Sequence, residues 1–233
     1  MRFDFESYHS AYESIRNFSA RATTIYQKLP IFRPPDDRII RNLSRGTNLL
    51  DVACGTGWYL SRIVSIRPDL GLWGFDFNGS DLFPKENAVF ITGEVSANFS
   101  FPFEDNTFSF ISCMDLIEHL NTESLLRLMT EIKRVLKPDG YLYIKAPNPR
   151  SLYLNFWDDP THLRPFTATA LKRLFGMYKL KVFKIWSGRG LFGYLAAPLL
   201  LVYAIIKRDR AIFAVFIDCL IGMWVGGICQ KLD

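Results

Sequence analysis

The sequence predicts an α/β fold in which helices cover both faces of a mostly parallel, doubly wound sheet. The first observation is that short apolar runs alternate with segments of helical spacing between residues 48 and 186. The second is that several runs end in an acid, as at Asp51, Asp76 and Asp115. The third is a glycine-punctuated turn, 54–57, directly after the first run. Because ligands of such sheets bind beyond the carboxyl ends of the strands, these features indicate one binding edge.

The elements are predicted in the following order. Residues 5–28 form a helix, and Pro30, Pro34 and Pro35 interrupt the chain before a second helix near 36–44. Apolar runs then predict strands, and longer amphipathic segments predict helices: strands at 48–53, 71–76, 88–92, 107–113, 140–146 and 180–186, and helices at 57–66, 122–136 and 167–177.

The turn after the first strand and the acids after the next two strands predict a nucleoside site. Glycines in the turn allow a ligand to approach the bare backbone. Asp76 lies 19 residues after Gly57, close to the offset at which a carboxylate accepts from both ribose hydroxyls. Glu94, after the third strand, is a candidate acceptor for the exocyclic amine of adenine.

A nicotinamide cofactor is the main alternative for this site. Its fingerprint requires a third glycine three residues after the second, where this chain has Leu60. The sequence also contains no Gly-Lys-Ser/Thr loop for phosphate binding. A ligand with adenine and ribose but no phosphate therefore fits better.

Together these motifs resemble those of class I S-adenosylmethionine-dependent methyltransferases, a group that includes ubiquinone-biosynthesis O-methyltransferases and many small-molecule methyltransferases. The resemblance covers about residues 47–187 and rests on five motifs in family order: the 51–57 loop, Asp76, Gly93-Glu94-Val95, Glu118-His119-Leu120 and the helix–turn–strand passage 134–144. It implies a Rossmann-like, seven-stranded sheet whose last strand, near 223–231, lies antiparallel beside the fifth. It also implies S-adenosyl-L-methionine as the cofactor.

The predicted cofactor-binding residues all lie at or just past strand ends. They are Asp51, Ala53, Gly55, Gly57, Asp76, Phe77, Glu94, Val95, Cys113 and Met114. The predicted organisation has four parts: N-terminal cap helices at 1–46, the methyltransferase core at 47–190, an apolar helical hairpin at 191–222 and the last strand of the core at 223–233.

A polar loop at 158–167 follows the fifth strand and is similar to a Pro-x-His loop of these methyltransferases. The resemblance implies that this loop borders the acceptor pocket, where His162 would remove a proton from an attacking hydroxyl. The alternative is that His162 hydrogen-bonds to the backbone and shapes the loop, while Thr167 caps the next helix. Tyr8, His9 and Tyr12 of the N-terminal helix are candidates for closing the pocket or for packing.

His119 has three interpretations. With Asp115 and Glu118 it has the i, i+3, i+4 spacing that one helical turn could bring together around a divalent cation. It is also a candidate proton acceptor beside the methyl group, and hence a second candidate catalytic residue. The resemblance implies instead that Glu118-His119 braces the start of a helix. We predict no metal ligand, because three ligands on one turn rarely complete a site.

The C-terminal part is unusually apolar. Residues 191–206 and 211–228 are almost wholly apolar and flank the basic stretch 207–210. Neither run provides the roughly 20 uninterrupted residues of a membrane-spanning helix. A buried hairpin, a homodimer interface and a peripheral membrane contact through 191–218 remain open.

Composition narrows the function further. The net charge of +5 is spread along the chain, which argues against a nucleic-acid partner. Four cysteines without a Cys-x-x-Cys pair and an N-terminus without an apolar signal segment favour a cytoplasmic location, with membrane association as an alternative. We therefore predict methyl transfer to a small-molecule or lipid-linked acceptor, with oxygen as the expected acceptor atom. Two alternatives are a methyltransferase fold that binds the cofactor without catalysis and a protein or RNA methyltransferase.

Overall fold

The computed structural model describes residues 34–152, 156–187 and 222–232, together with positions 198, 201–203, 205–208, 213 and 216. The chain divides into two compact units, residues 1–37 and 38–233. The predicted helix at 5–28, with Tyr8, His9 and Tyr12, and most of the predicted hairpin at 191–222 lie outside the described residues. Among the described residues, no helix is long and apolar enough to cross a membrane.

The described elements alternate along the chain as the sequence predicts. The helices are α1 (Asp37–Asn42), α2 (Trp58–Ile66), α3 (Thr122–Val135) and α4 (Ala168–Met177). The strands are β1 (Asn48–Val52), β2 (Gly71–Asp76), β3 (Val89–Thr92), β4 (Phe108–Met114), β5 (Leu136–Pro147), β6 (Lys181–Ser187) and β7 (Trp224–Gln230). Short 3-10 helices lie at Ile117–His119 and Phe156–Asp158.

The seven strands form one sheet in the order β3-β2-β1-β4-β5-β7-β6. β1 pairs in parallel with β2 and β4, and the outer pairs β2–β3 and β4–β5 are also parallel. β7 lies between β5 and β6 and is antiparallel to both. This confirms the predicted doubly wound sheet with an antiparallel last strand.

Helices pack on both faces of the sheet because neighbouring strand residues point to opposite sides. Leu49 of β1 belongs to the cluster under α2, with Tyr59 and Ile63. The next residue, Leu50, belongs to the cluster on the other face. That second cluster contains the apolar stripes of α3 and α4, including Leu128, Ile132, Leu171 and Phe175. With both faces covered, the carboxyl edge of the sheet is left for the polar residues that follow the strands.

Candidate functional site

The strand register places the predicted polar residues side by side. Val52, near the end of β1, pairs with Phe75 of β2 on one side and with Cys113 of β4 on the other. Asp76, the last residue of β2, pairs with Thr92 at the end of β3. The turns that follow these four strands therefore share one edge of the sheet, as the switch-point rule requires.

The turn after β1 is held in an unusual backbone conformation. Ala53, Gly55 and Gly57 have φ angles of 58°, 51° and 72°. The Ala53 N–H donates to the Phe75 carbonyl at 2.8 Å, which ties the turn to β2. A Cβ atom on Gly55 would meet nothing within 4 Å, whereas one on Gly57 would lie 2.5 Å from Pro84 Cδ and 2.9 Å from Phe83 Cδ2. Gly57 thus allows close packing, and Gly55 leaves a face of bare backbone open.

Asp76 connects this turn to the loop after β2. Its Oδ2 accepts from the Gly55 N–H at 2.8 Å, and its Oδ1 accepts from the Asn78 N–H at 3.2 Å. The side chain is largely buried, at 8% exposure. Each carboxylate oxygen has a further lone pair, so the held carboxylate can still accept from a ligand hydroxyl.

Asp51 lies deeper than Asp76, with 2% exposure. The Ser112 hydroxyl of β4 donates to Asp51 Oδ1 at 2.6 Å. Sequence reasoning missed Ser112, although it is one of two serines, with Ser109, in a strand that is otherwise without polar oxygen or nitrogen side chains. Cys54 and Cys113 are buried near this carboxylate, and burial, followed by neighbouring carboxylates, raises the pKa of both thiols.

The remaining predicted cofactor residues surround the turn at varied depth. Phe77 is 48% exposed just after Asp76. Glu94 is exposed and Val95 is half-buried in the turn after β3, whose Gly93 N–H donates to the Asp76 carbonyl at 2.9 Å. Met114, at the end of β4, is half-buried. Contact of any of these residues with a cofactor stays a prediction.

Asp115, the first residue after β4, forms an ion pair with a lysine. Its Oδ2 lies 3.0 Å from Lys145 Nζ of β5, and that ammonium lies 4.1 Å from the centre of the Trp224 ring. Neither Lys145 nor Trp224 was among the predicted site residues. Asp115, Glu118 and His119, the three residues with the spacing of a metal site on one helical turn, therefore do not form such a group in the structure.

The structure instead brings Glu118, His119 and His162 together. Glu118 and His119 lie in the 3-10 helix after β4, and the Glu118 carbonyl accepts from the Leu163 N–H at 2.8 Å. This bond fixes the 158–167 loop beside the helix. The rings of His119 and His162 are 4.8 Å apart.

Each histidine is held by its Nδ1 atom. His119 Nδ1 lies 2.8 Å from Thr161 Oγ1, and His162 Nδ1 lies 2.7 Å from the Phe156 carbonyl oxygen. The His162 ring also packs on Phe156, with ring centres 4.5 Å apart. Burial, together with the neighbouring His162, lowers the pKa of His119. At neutral pH His119 is therefore neutral, with a lone pair on one ring nitrogen.

Part of the structural alternative for this loop is also observed. Thr167 caps α4, because its hydroxyl accepts from the Ala170 N–H at 3.2 Å. His162 does hydrogen-bond to the backbone through Nδ1. Its Nε2 remains on the side facing Asp159, whose Oδ2 is 3.6 Å away. A structural and a chemical role for His162 are thus compatible.

The chain is similar to known proteins in sequence and in fold. A family model described as a methyltransferase domain matches residues 20–184. A demethylmenaquinone methyltransferase from Symbiobacterium thermophilum is 32% identical over 120 residues, which cover 48% of this chain and 47% of that relative. The matched part of the chain thus spans about half the length of this curated relative.

Two solved structures share the fold. A SAM-dependent methyltransferase from Archaeoglobus fulgidus is 21% identical, with a TM-score of 0.58, over 84% of this chain and 91% of that one. A SAM-dependent methyltransferase from Aquifex aeolicus is 16% identical, with a TM-score of 0.54, over 88% and 92% of the two chains. At these identities the similarity is one of fold.

Proposed function

This chain belongs to the methyltransferase-domain family, as its motifs predicted, and we propose that it transfers the methyl group of S-adenosylmethionine to a small-molecule acceptor. The main support is the hydrogen bond that the Gly55 N–H donates to Asp76 Oδ2 at 2.8 Å. This bond joins the glycine turn after β1 to the acid after β2. The two features that predict a nucleoside site therefore form one unit at the carboxyl edge of the sheet.

S-adenosylmethionine is the cofactor that this family implies, and the residues at the edge fit it. The open face of Gly55 allows close approach of a ligand, and Asp76 retains acceptor capacity for ribose hydroxyls. The turn has no Lys or Arg between Asp51 and Gly57, which suits a cofactor without phosphate. The bound sulfonium would supply an activated methyl group, so the protein mainly has to orient the acceptor.

Support for a small-molecule acceptor comes from the demethylmenaquinone methyltransferase relative. We place the acceptor at the 158–167 loop, beside His119 and His162. Oxygen is the proposed acceptor atom, because the polar group around the His119 and His162 rings, which lie 4.8 Å apart, suits the binding of a hydroxyl. A lipid-linked acceptor is included in this proposal.

Calorimetric titration with S-adenosylhomocysteine tests cofactor binding. Asp76→Ala should lose about 1–3 kcal/mol of binding free energy, roughly 5- to 150-fold in affinity, because ligand hydroxyls lose their acceptor. Asp81→Ala is the matched control, since Asp81 is a fully exposed acid in the same loop. Tight binding of NAD without binding of S-adenosylhomocysteine would refute the proposal.

The acceptor class needs a separate experiment. The protein is incubated with methyl-labelled S-adenosylmethionine and a cell extract, which is then separated into protein, nucleic acid, aqueous small molecules and organic-soluble material. We expect label in one of the two small-molecule fractions. Label in protein or RNA would replace the proposed acceptor class, and cofactor binding without any labelled product would favour a non-catalytic role.

A further inference from the structure

Three side chains that can bind a metal ion converge just beyond the end of β4. Glu118, His119 and His162 each offer a ligand atom, and these atoms lie within 4.8 Å of one another. Two come from the 3-10 helix after β4, and the third comes from the loop that follows β5. The group therefore exists only in the folded protein, and it includes a histidine 43 residues from its neighbour in sequence.

Glu118 is the member that most requires an explanation. Its side chain is 0% exposed, and neither carboxylate oxygen has a hydrogen-bond partner among the described residues. The nearby ammonium of Lys145 is paired with Asp115 instead, at 3.0 Å. A buried carboxylate without a partner costs several kcal/mol unless a proton or a cation neutralises it.

The hydrogen bonds around His119 determine which of its nitrogens carries the lone pair. Thr161 Oγ1 lies 2.6 Å from Asp159 Oδ1 and 2.8 Å from His119 Nδ1. The carboxylate has no hydrogen, so the single hydroxyl hydrogen of Thr161 is donated to Asp159. His119 Nδ1 must then be the donor toward Thr161. The neutral ring consequently has its lone pair on Nε2.

The same reasoning applies to His162. Its Nδ1 is 2.7 Å from the carbonyl oxygen of Phe156, which can only accept. Nδ1 therefore carries the hydrogen, and Nε2 carries the lone pair. That Nε2 lies 3.6 Å from Asp159 Oδ2, another atom without a hydrogen to donate. Each imidazole thus keeps a lone pair on Nε2, and Glu118 adds its carboxylate oxygens to the same group of side chains.

We propose that Glu118, His119 and His162 bind one divalent transition-metal cation. Two imidazole nitrogens and one carboxylate favour ions such as Mn²⁺, Co²⁺ or Zn²⁺ over Mg²⁺ and Ca²⁺, which prefer oxygen ligands. Thr161 with Asp159, and the Phe156 carbonyl, orient the two rings from behind, as partners of metal-bound histidines do. The cation supplies the positive charge that the buried carboxylate lacks.

This site does not depend on methyl transfer, and cation binding is measured without cofactor or acceptor. Where the proposed function holds, the cation would bind the acceptor oxygen and lower the pKa of its hydroxyl, so that the proton would pass to water as the oxygen takes the methyl group from the sulfonium. This last step rests on the proposed function. His119 and His162 then act on the acceptor through the cation rather than as proton acceptors.

The test uses the full chain, stripped of metal and without an affinity tag. Titration with Co²⁺, followed by visible absorption, should show one bound equivalent with ligand-field bands, and calorimetry should show the same stoichiometry for Mn²⁺ or Zn²⁺. Glu118→Gln and His162→Asn should abolish this binding. Glu123→Gln is the matched control, since Glu123 is exposed at the start of α3, and it should bind as wild type does.

Thr161, which holds the His119 ring, allows a test in which cation affinity is weakened rather than lost. Thr161→Val should weaken cation binding by about 10–100-fold, and Thr161→Ser should restore it. Thermal unfolding shows that the variants fold. Without metal, Glu118→Gln should unfold at the same or a higher temperature than wild type, because the amide removes a buried charge. Metal should raise the unfolding temperature of the wild type and of Glu123→Gln, and leave that of Glu118→Gln unchanged.

The proposal is overturned if the wild type binds no equivalent of Co²⁺, or if Glu118→Gln binds it with unchanged affinity. It also fails if Glu118→Gln is less stable than wild type while metal has no effect on either protein, since Glu118 would then be structural. Titration with S-adenosylhomocysteine is unaffected by these outcomes, so failure of the cation site and failure of the proposed function are distinguishable.

Discussion

Three residues in the turn after β1 have a positive φ, and only two of them are glycines. Ala53 adopts φ 58°, a conformation that costs a residue with a side chain about 1–2 kcal/mol. Its N–H bond to the Phe75 carbonyl, at 2.8 Å, holds it there. The turn is thus fixed to β2 from one side by this bond and from the other by the bond from the Gly55 N–H to Asp76.

The two glycines of this turn are expected to respond differently to substitution by alanine. Gly57→Ala should lower the free energy of unfolding by more than the roughly 1–2 kcal/mol of backbone strain, because its Cβ would lie 2.5 Å from Pro84 Cδ. Gly55→Ala carries the strain alone, since its Cβ would meet no protein atom within 4 Å. That Cβ would instead occupy the face offered to the cofactor.

Urea unfolding and titration with S-adenosylhomocysteine together measure this contrast. Gly57→Ala should be the less stable variant, and Gly55→Ala should lose more cofactor affinity relative to its loss of stability. Equal stability of the two variants with unchanged affinity in both would show that neither the packing at Gly57 nor the open face at Gly55 has the role given to it.

His162→Asn separates the two roles of this histidine. An asparagine amide can still donate to the Phe156 carbonyl, as Nδ1 does at 2.7 Å, but it has no atom equivalent to Nε2. Turnover should fall by about 10²-fold or more, the range for losing a positioned acid–base or ligand group, with cofactor affinity unchanged. Wild-type turnover in a correctly folded His162→Asn variant would leave His162 with a structural role only.

The site residues that sequence analysis missed have a common cause. Ser112, Lys145 and Thr161 act through partners from other elements: Asp51, Asp115 and His119, respectively. Spacing within one segment can predict neighbours on a helix turn, such as Glu118 and His119. It cannot predict that His162, from a later loop, lies beside them. The acids at strand ends were predictable because each is fixed by the position of its own strand.

At the scale of elements, α3 anchors the loop that precedes β4. Glu131 of α3 is buried, and its carboxylate accepts from the Phe101 N–H at 2.9 Å and from Arg134 at 2.7 Å. Phe101 packs edge to face on Phe75, with ring centres 5.1 Å apart. Phe75 directly precedes Asp76, so the contact with Phe101 packs this loop against the end of β2.

Glu131→Ala should therefore destabilise the fold by about 1–3 kcal/mol, the cost of leaving the buried Phe101 N–H without an acceptor. Chemical denaturation measures the change. Glu123→Ala, an exposed acid on the same helix, is the control and should stay within about 0.5 kcal/mol of wild type. A similar effect of the two substitutions would show that the carboxylate of Glu131 contributes little.

Most element boundaries were predictable within one or two residues because apolar runs and turn residues mark them directly. The main difference is β5, which begins at Leu136 rather than near 140. Leu136 ends the apolar stripe of α3, yet it pairs with Phe108 of β4 across an irregular register. Pairing with a distant strand decided this boundary, and helical periodicity extended the predicted α3 one residue too far.

At the scale of the whole molecule, the apolar C-terminal segment connects β6 and β7, which are neighbouring strands of one sheet. Ser187, the last residue of β6, pairs with Val225 near the start of β7. Antiparallel neighbours can be joined by a short turn, so the sheet itself does not require the long connection between them. The predicted hairpin at 191–222 and its contact with a membrane or a second copy stay predictions.

Replacing residues 191–218 by a short Gly/Ser linker tests this last prediction. The full chain should float with vesicles that contain anionic lipid, because the segment combines apolar runs with Lys207, Arg208 and Arg210. Of its described residues, Val202, Tyr203, Ile205 and Ile206 are exposed, and apolar side chains in such a cluster favour a contact partner. The shortened chain should keep its affinity for S-adenosylhomocysteine and lose flotation. A full chain that remains monomeric and does not float would contradict the membrane contact, and a stable dimer that does not float would assign the segment to a second copy.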